Sequence, residues 1–207
     1  TNPSYRLITC ISFACLMPDM SIKVWVIPLV DFTQNHYGNP ADYEAALLCM
    51  QTVLRNDVPK IAHNGIYDAT YNITYHAEPR NYILDTMIMG WSRFSELPRS
   101  LDFNASLYLY DYIQWKYESD EASANKDIMS YWAYCAKDSW TTLRIAMQQL
   151  MLSRNDSYWM YNYRRTFRLS YPSIYCAFEG CKIDVAKREQ LKAENKAAIA
   201  KHVADFR

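Results

Sequence analysis

A chain of 207 residues, half of them apolar and 21% charged, is long enough to bury a core and too apolar for a disordered segment. Its 22 basic and 22 acidic side chains cancel, which excludes a basic surplus that would grip a duplex by counterion release. No apolar run has the length that spans a bilayer, and the six cysteines show neither a C-x-x-C pair nor zinc-ligand spacing to histidine. Small buried thiols in a reducing, cytoplasmic compartment are therefore expected.

Asn2-Pro3-Ser4 is turn chemistry, and a strand-like run from Leu7 to Leu16 follows at once. Met17-Pro18-Asp19-Met20 reads as a turn and Ser21 to Val30 as a second β-rich run, so the two form a hairpin. From Pro40 to Arg55 the spacing turns helical, with Tyr43, Ala46, Leu47 and Met50 on one face, Asn39 placed to cap and Pro40 suited to the first turn.

Val58 to His63 reads as a short strand, Ile66 to Tyr75 as a helix, and Tyr82-Ile83-Leu84 as another short strand that enters a helix at Asp85. Leu101 to Leu109 is helical in spacing. Glu118 to Lys126 is small and polar, which predicts an exposed loop. Asp127 to Leu152 has helical periodicity with a break expected near Ala136 to Asp138. Tyr158 to Arg168 is aromatic and basic, Tyr171-Pro172-Ser173 breaks or caps it, Glu179-Gly180-Cys181 is a turn, and a charged, alanine-rich helix runs from Asp184.

A hairpin, then strands alternating with helices, then helices alone, predicts an α/β sheet with helical packing on both sides. A boundary is placed in Ser153-Arg154-Asn155-Asp156-Ser157, dividing the chain into residues 1–153 and 154–207. The N-x-S/T triplets at Asn72, Asn104 and Asn155 are read as accidental rather than as glycan sites.

Two clusters carry chemistry. In Ile61-Ala62-His63-Asn64-Gly65-Ile66-Tyr67-Asp68 a short strand ends in polar residues and passes into a helix, where α/β sheets gather functional groups. The plain alternative makes Asn64 a helix cap and Asp68 a first-turn carboxylate. In Tyr134-Cys135-Ala136-Lys137-Asp138 a phenol and a carboxylate four residues apart share a helical face and can point into one cleft. A half-buried tyrosine beside a solvated aspartate is the alternative there. Between them, Asp85 stands at a strand-to-helix junction, where an N-cap is the simpler role, and Arg99 adds a cation that could face phosphate.

Taken in order, these motifs resemble the DEDD exonuclease superfamily, in its tyrosine subtype, found as the proofreading domain of family A DNA polymerases. Asn64 and Asp68 match its N-x-x-x-D motif, and Tyr134 and Asp138 match its Y-x-x-x-D motif. Asp85-Thr86-Met87 and the stretch from Ser100 to Tyr108 are also similar to phage-type members. The resemblance covers residues 7–152; Pro172 to Asp184 is similar to the start of the polymerase domain in the same family.

The resemblance implies a ribonuclease H-like fold, a mixed central sheet flanked by helices, followed by the helical beginning of a polymerase domain. It implies a substrate, the frayed single-stranded 3′ end of DNA, and two divalent ions, Mg²⁺ or Mn²⁺, in the intact parent. Asp138 and Asp68 would be metal ligands, and Tyr134 would orient the attacking water. His63, Asn64, Asp85 and Arg99 would contact the terminal nucleotide. The partners implied are DNA and the polymerase domain of the same chain, in a bacterial or phage-infected cell, without a membrane.

One departure weighs against activity. The family's D-x-E on its first, central strand has no counterpart at a suitable place, and Asp19 in the hairpin turn is a poor substitute. The expectation is a parent protein whose first strand is missing here, and a fragment with little activity of its own. The alternatives are a non-catalytic nucleic-acid-binding or interaction module derived from an exonuclease, and an unrelated α/β domain.

Overall fold

A computed structural model describes residues 7–30, 36–125 and 127–205; the turn expected at Asn2-Pro3-Ser4 lies outside them. Strand β1 (Cys10–Leu16) pairs antiparallel with β2 (Ile22–Pro28), in register from Cys10 opposite Pro28 to Leu16 opposite Ile22. The turn between them closes through the Met17 amide on the Ser21 carbonyl at 2.8 Å. Asp19 is spent inside that turn, accepting from the Ser21 amide at 3.0 Å and its hydroxyl at 2.6 Å.

Helix α1 (Pro40–Arg55) begins and ends where its signals predict. The Asn39 side chain accepts from the Ala41 amide at 2.9 Å, and Pro40 in the first turn gives up no intrahelical bond. Met50 and Leu54 of its inner face pack with Leu29 and Ala77 into a core beneath the hairpin. Strand β3 (Lys60–Ala62), helix α2 (Gly65–Thr74) and strand β4 (Tyr82–Asp85) form a parallel crossover, with Ile61 opposite Leu84 and Ala62 opposite Asp85. Helix α3 (Thr86–Arg93) leaves β4 directly, and α4 (Leu101–Tyr108) follows.

The chain is thus mixed α and β, but the single mixed central sheet is not formed among the described residues. The strands described here form two two-stranded sheets, β1–β2 and β3–β4, each strand with one ladder partner among the described residues. Both pack against one long helix, α6 (Ile128–Ser153). The Ser12 hydroxyl of β1 donates to the Cys135 carbonyl of α6 at 2.8 Å and meets the Ser139 hydroxyl, which ties the hairpin to the helix.

Three local expectations are corrected. Glu118 to Asn125 is a helix, α5, because Glu118, Asp120 and Glu121 place their carboxylates in the first turn, and Ala122 is buried. Helix α6 runs unbroken through Ala136, Lys137 and Asp138; the aspartate, an indifferent helix former, is held there by side-chain partners. None of the six cysteines is fully buried, and Cys15, Cys49, Cys176 and Cys181 are exposed, since each falls on the outward side of its strand, helix or loop.

Helices α7 (Ser157–Phe167) and α8 (Ser170–Glu179) complete the described body. Pro172 sits in the first turn of α8, where the missing N–H costs nothing, so the helix starts there instead of breaking. Gly180 ends α8 at a φ of 73°. The expected division at 153/154 falls in the turn between α6 and α7, yet Trp159 and Tyr163 of α7 share a core with Leu84, Ile88 and Met89. Helix α9 (Val185–Asp205) is exposed along the residues whose burial is described. Asn72 and Asn104 are buried, which removes two of the three glycosylation triplets from reach. Among the described residues, no helix is long and apolar enough to cross a membrane.

Candidate active site

The turn from β3 into α2 is organised by one buried carboxylate. Asp85 is fully buried, and its Oδ1 accepts from the amides of Asn64 at 3.1 Å, Met87 at 2.9 Å and Ile88 at 3.2 Å. Its Oδ2 accepts from the Gly65 amide at 2.8 Å and the Tyr82 hydroxyl at 2.5 Å. With both oxygens occupied inside the protein, Asp85 cannot touch a substrate. The substrate-binding role expected of it is replaced by a structural one: it caps α3 and fixes the amides of the neighbouring turn.

Asn64 occupies the N-cap position of α2 but does not cap it. Its backbone is left-handed, at φ 61° and ψ 42°, and its side chain makes no cap hydrogen bond. Asparagine tolerates this conformation better than most residues, and the turn leaves its side chain exposed.

His63, immediately before, is drawn inward. Its Nε2 lies 3.0 Å from the Arg99 carbonyl and its Nδ1 2.8 Å from the Thr86 hydroxyl. A carbonyl can only accept, so Nε2 carries a proton, and the Thr86 hydroxyl beside Nδ1 also donates to the Ala62 carbonyl at 3.3 Å. Burial pushes the imidazole below its ordinary pKa, against the opposing pull of Asp85. Both ring nitrogens are engaged, and His63 here joins the end of β3 to the loop before α4.

Arg99 is exposed, and its guanidinium lies 5.1 Å from the Trp91 ring centre. It lines a recess of about 290 Å³ with Ile66, Met87, Trp91 and Ser170. The Ser170 hydroxyl is buried there without a hydrogen-bond partner.

Tyr134 and Asp138 rise from one face of α6, as their spacing predicts. Asp138 is held from the loop before α5. The Trp115 indole donates to Oδ1 at 2.8 Å, and the Lys116 ammonium lies 2.8 Å from each carboxylate oxygen and 2.9 Å from the Tyr134 hydroxyl. Although partial burial disfavours its charge, bonds to Asp138 and Tyr134 raise the Lys116 pKa overall.

Asp68, on the first turns of α2, is exposed, yet surrounding protein crowds its carboxylate. That desolvation, with the negative charges of Asp85 and Asp138 nearby, pushes its pKa up to about 6. Of these causes the charge of Asp138, more than 60 residues away in sequence, is the smallest, after burial and Asp85.

This arrangement does not fit a pair of divalent ions. Among the described residues no three histidine, cysteine, aspartate or glutamate side chains converge, and Asp138 already carries an ammonium. The D-x-E formed by Asp42 and Glu44 lies in the exposed first turns of α1, not on a strand. Sequence reasoning missed Trp115 and Lys116. They sit in a loop some 20 residues from their partners, and no periodic spacing connects the two.

No protein-family model and no curated protein matches the chain.

Proposed function

We propose that the chain is part of a 3′–5′ exonuclease that removes nucleotides from single-stranded or frayed DNA ends, in the manner of a polymerase proofreading domain. The observation that carries the reading is the pairing of Tyr134 and Asp138 on α6 within the electrostatic reach of Asp68 on α2. The exposed Asn64 side chain and the cation of Arg99 supply groups that a 3′ nucleotide and its phosphates would use.

The complete fold in this proposal is ribonuclease H-like. Strands β1 and β3 each leave one edge without a ladder partner among the described residues, and both sheets lie on α6. One further strand between them would join four strands into a single mixed sheet. If that strand carried D-x-E, it would add two carboxylates beside Asp68 and Asp138 and complete the ligands for Mg²⁺ or Mn²⁺. Residues 154–207 would then lead into the polymerase domain of the same protein.

In the present set of residues, Asp68 and Asp138 supply negative charge, Tyr134 a phenol positioned next to it, and Arg99 a cation at the lip. These groups orient a terminal nucleotide; they do not by themselves generate a nucleophile. The ion pair on Asp138 favours a second reading, a non-catalytic module that binds a 3′ end without cutting it.

A 5′-labelled single-stranded oligonucleotide distinguishes the two. The chain alone is expected to release little product, and the chain joined behind a strand carrying D-x-E to release mononucleotides with Mn²⁺. Asp138→Ala in that longer protein should stop release. Cleavage that survives both Asp138→Ala and chelation overturns the proposal, and 3′-end binding without cleavage in the longer protein selects the second reading.

A further inference from the structure

We propose that Cys10 of β1 and Cys135 of α6 are a dithiol that hydrogen peroxide oxidises to a reversible disulfide between the hairpin and the long helix. The proposal is independent of the nuclease reading.

The fold brings the two thiols together from more than 100 residues apart in sequence. Cys10 and Ser12 stand two apart on β1, so both belong to the face that packs on α6. The Ser12 hydroxyl donates to the Cys135 carbonyl at 2.8 Å and accepts from the Cys135 thiol at 3.3 Å. Next along the same face, the Cys10 thiol donates a hydrogen bond to the Cys135 sulfur. One turn further on α6, the Ser139 hydroxyl donates to the Ser12 carbonyl at 3.2 Å. Strand and helix are therefore pinned on either side of Ser12, and the two sulfurs already touch. Cys15, Cys49, Cys176 and Cys181 are exposed, whereas these two are half-buried at the contact.

The contact also divides the chemistry between them. The hydrogen bond from Cys10 holds the Cys135 thiol below its ordinary pKa, and the Ser12 hydroxyl acts in the same direction. Burial and the charges of Asp138 and Asp68 oppose them without reversing the shift. The same hydrogen bond, together with burial, pushes the Cys10 thiol up. Cys135 is thus the attacking thiolate and Cys10 the resolving thiol. The Cys135 thiolate attacks one peroxide oxygen, the O–O bond breaks and hydroxide leaves, so the sulfur is oxidised to a sulfenic acid. The Cys10 sulfur then attacks the Cys135 sulfur and gives up its proton as the S–O bond breaks and water leaves. Two thiols and one peroxide become one disulfide and two waters, and dithiothreitol reverses the bond by exchange.

Peptide mapping of the full chain without reductant, after brief exposure to equimolar hydrogen peroxide, tests the proposal. Trypsin should release residues 7–23 joined to residues 127–137, and dithiothreitol should separate them. Cys15 shares the first peptide, so fragment sequencing of the linked species should place the bond on Cys10 in the parent itself. Cys15→Ser should keep the link. Cys10→Ser should lose it and leave Cys135 as a sulfenic acid that dimedone traps, with circular dichroism confirming that both variants are folded. A folded parent whose exposed cysteines oxidise while Cys10 and Cys135 stay reduced overturns the proposal. So does a link that survives Cys10→Ser, or one that forms only after unfolding in urea.

Discussion

The Tyr82 hydroxyl donates to Asp85 Oδ2 at 2.5 Å, and the Gly65 amide meets the same oxygen at 2.8 Å. One buried anion thus ties the end of β4 to the start of α2. Tyr82→Phe removes a single charge-assisted donor and should cost about 2 kcal/mol. Asp85→Asn turns an acceptor for several amides into a partial donor and should cost more, about 3 kcal/mol or above. Gly65→Ala should also destabilise, since its Cβ would lie 2.5 Å from the Tyr82 oxygen and 2.8 Å from Ala62 Cβ. Urea denaturation of the three variants checks the order.

Asp68 gives the protein a pH signature. Its folded pKa, raised from 3.8 to about 6, means that folding favours its protonated form. The carboxyl therefore adds no penalty below about pH 4, and the penalty grows as pH rises to about 6 and holds above it. Asp68→Asn should accordingly raise the melting temperature at pH 7 and leave it nearly unchanged at pH 4. Carbon-detected NMR of the carboxyl should show a midpoint near 6. A midpoint near 4 would mean that neither the crowding nor the neighbouring charges act on it.

Trp159 anchors α7 to the sheet side of the molecule. It is 1% exposed, and its indole donates to the Met89 carbonyl at 2.8 Å. Trp159→Ala should cost about 3–5 kcal/mol. Residues 1–153 expressed alone should lose cooperative unfolding, because Leu84, Ile88 and Met89 would face water. A sharp thermal transition for that piece would show that the core closes without α7.

The pair between Lys137 and Glu118 joins α5 to α6 at the surface, with side chains 49% and 29% exposed. Glu118→Ala should cost less than about 1 kcal/mol, and far-UV circular dichroism should register no loss of α6.

Legibility in the sequence followed the range of the interactions. Asn39 and Pro40 announce α1 locally, and the Tyr134–Asp138 spacing announces a shared face, so both were readable. The polar run of α5 looked like a loop because its helix-favouring feature is the position of its acidic residues, not an apolar stripe. The break expected in α6 did not occur because Lys116 and Trp115, supplied from another loop, satisfy Asp138. The N-cap role of Asp85 was readable as the simpler one, and only the fold shows that five hydrogen-bond donors converge on it. The pairing of β1 with β2 followed from one tight turn; the separation of the two sheets depended on tertiary placement that no local pattern encodes.

Helix α6 is about 39 Å long, taking 26 residues at 1.5 Å each, and the two sheets lie along it. It serves as a ruler for the molecule. Tyr134 and Asp138 sit about a third of the way along this rod, one turn apart, and the residues that follow each of them, Cys135 and Ser139, bond Ser12 of the hairpin. The spacing of phenol and carboxylate is thus set within one helix, whereas their distance to Asp68 is set by how the crossover and the helix pack.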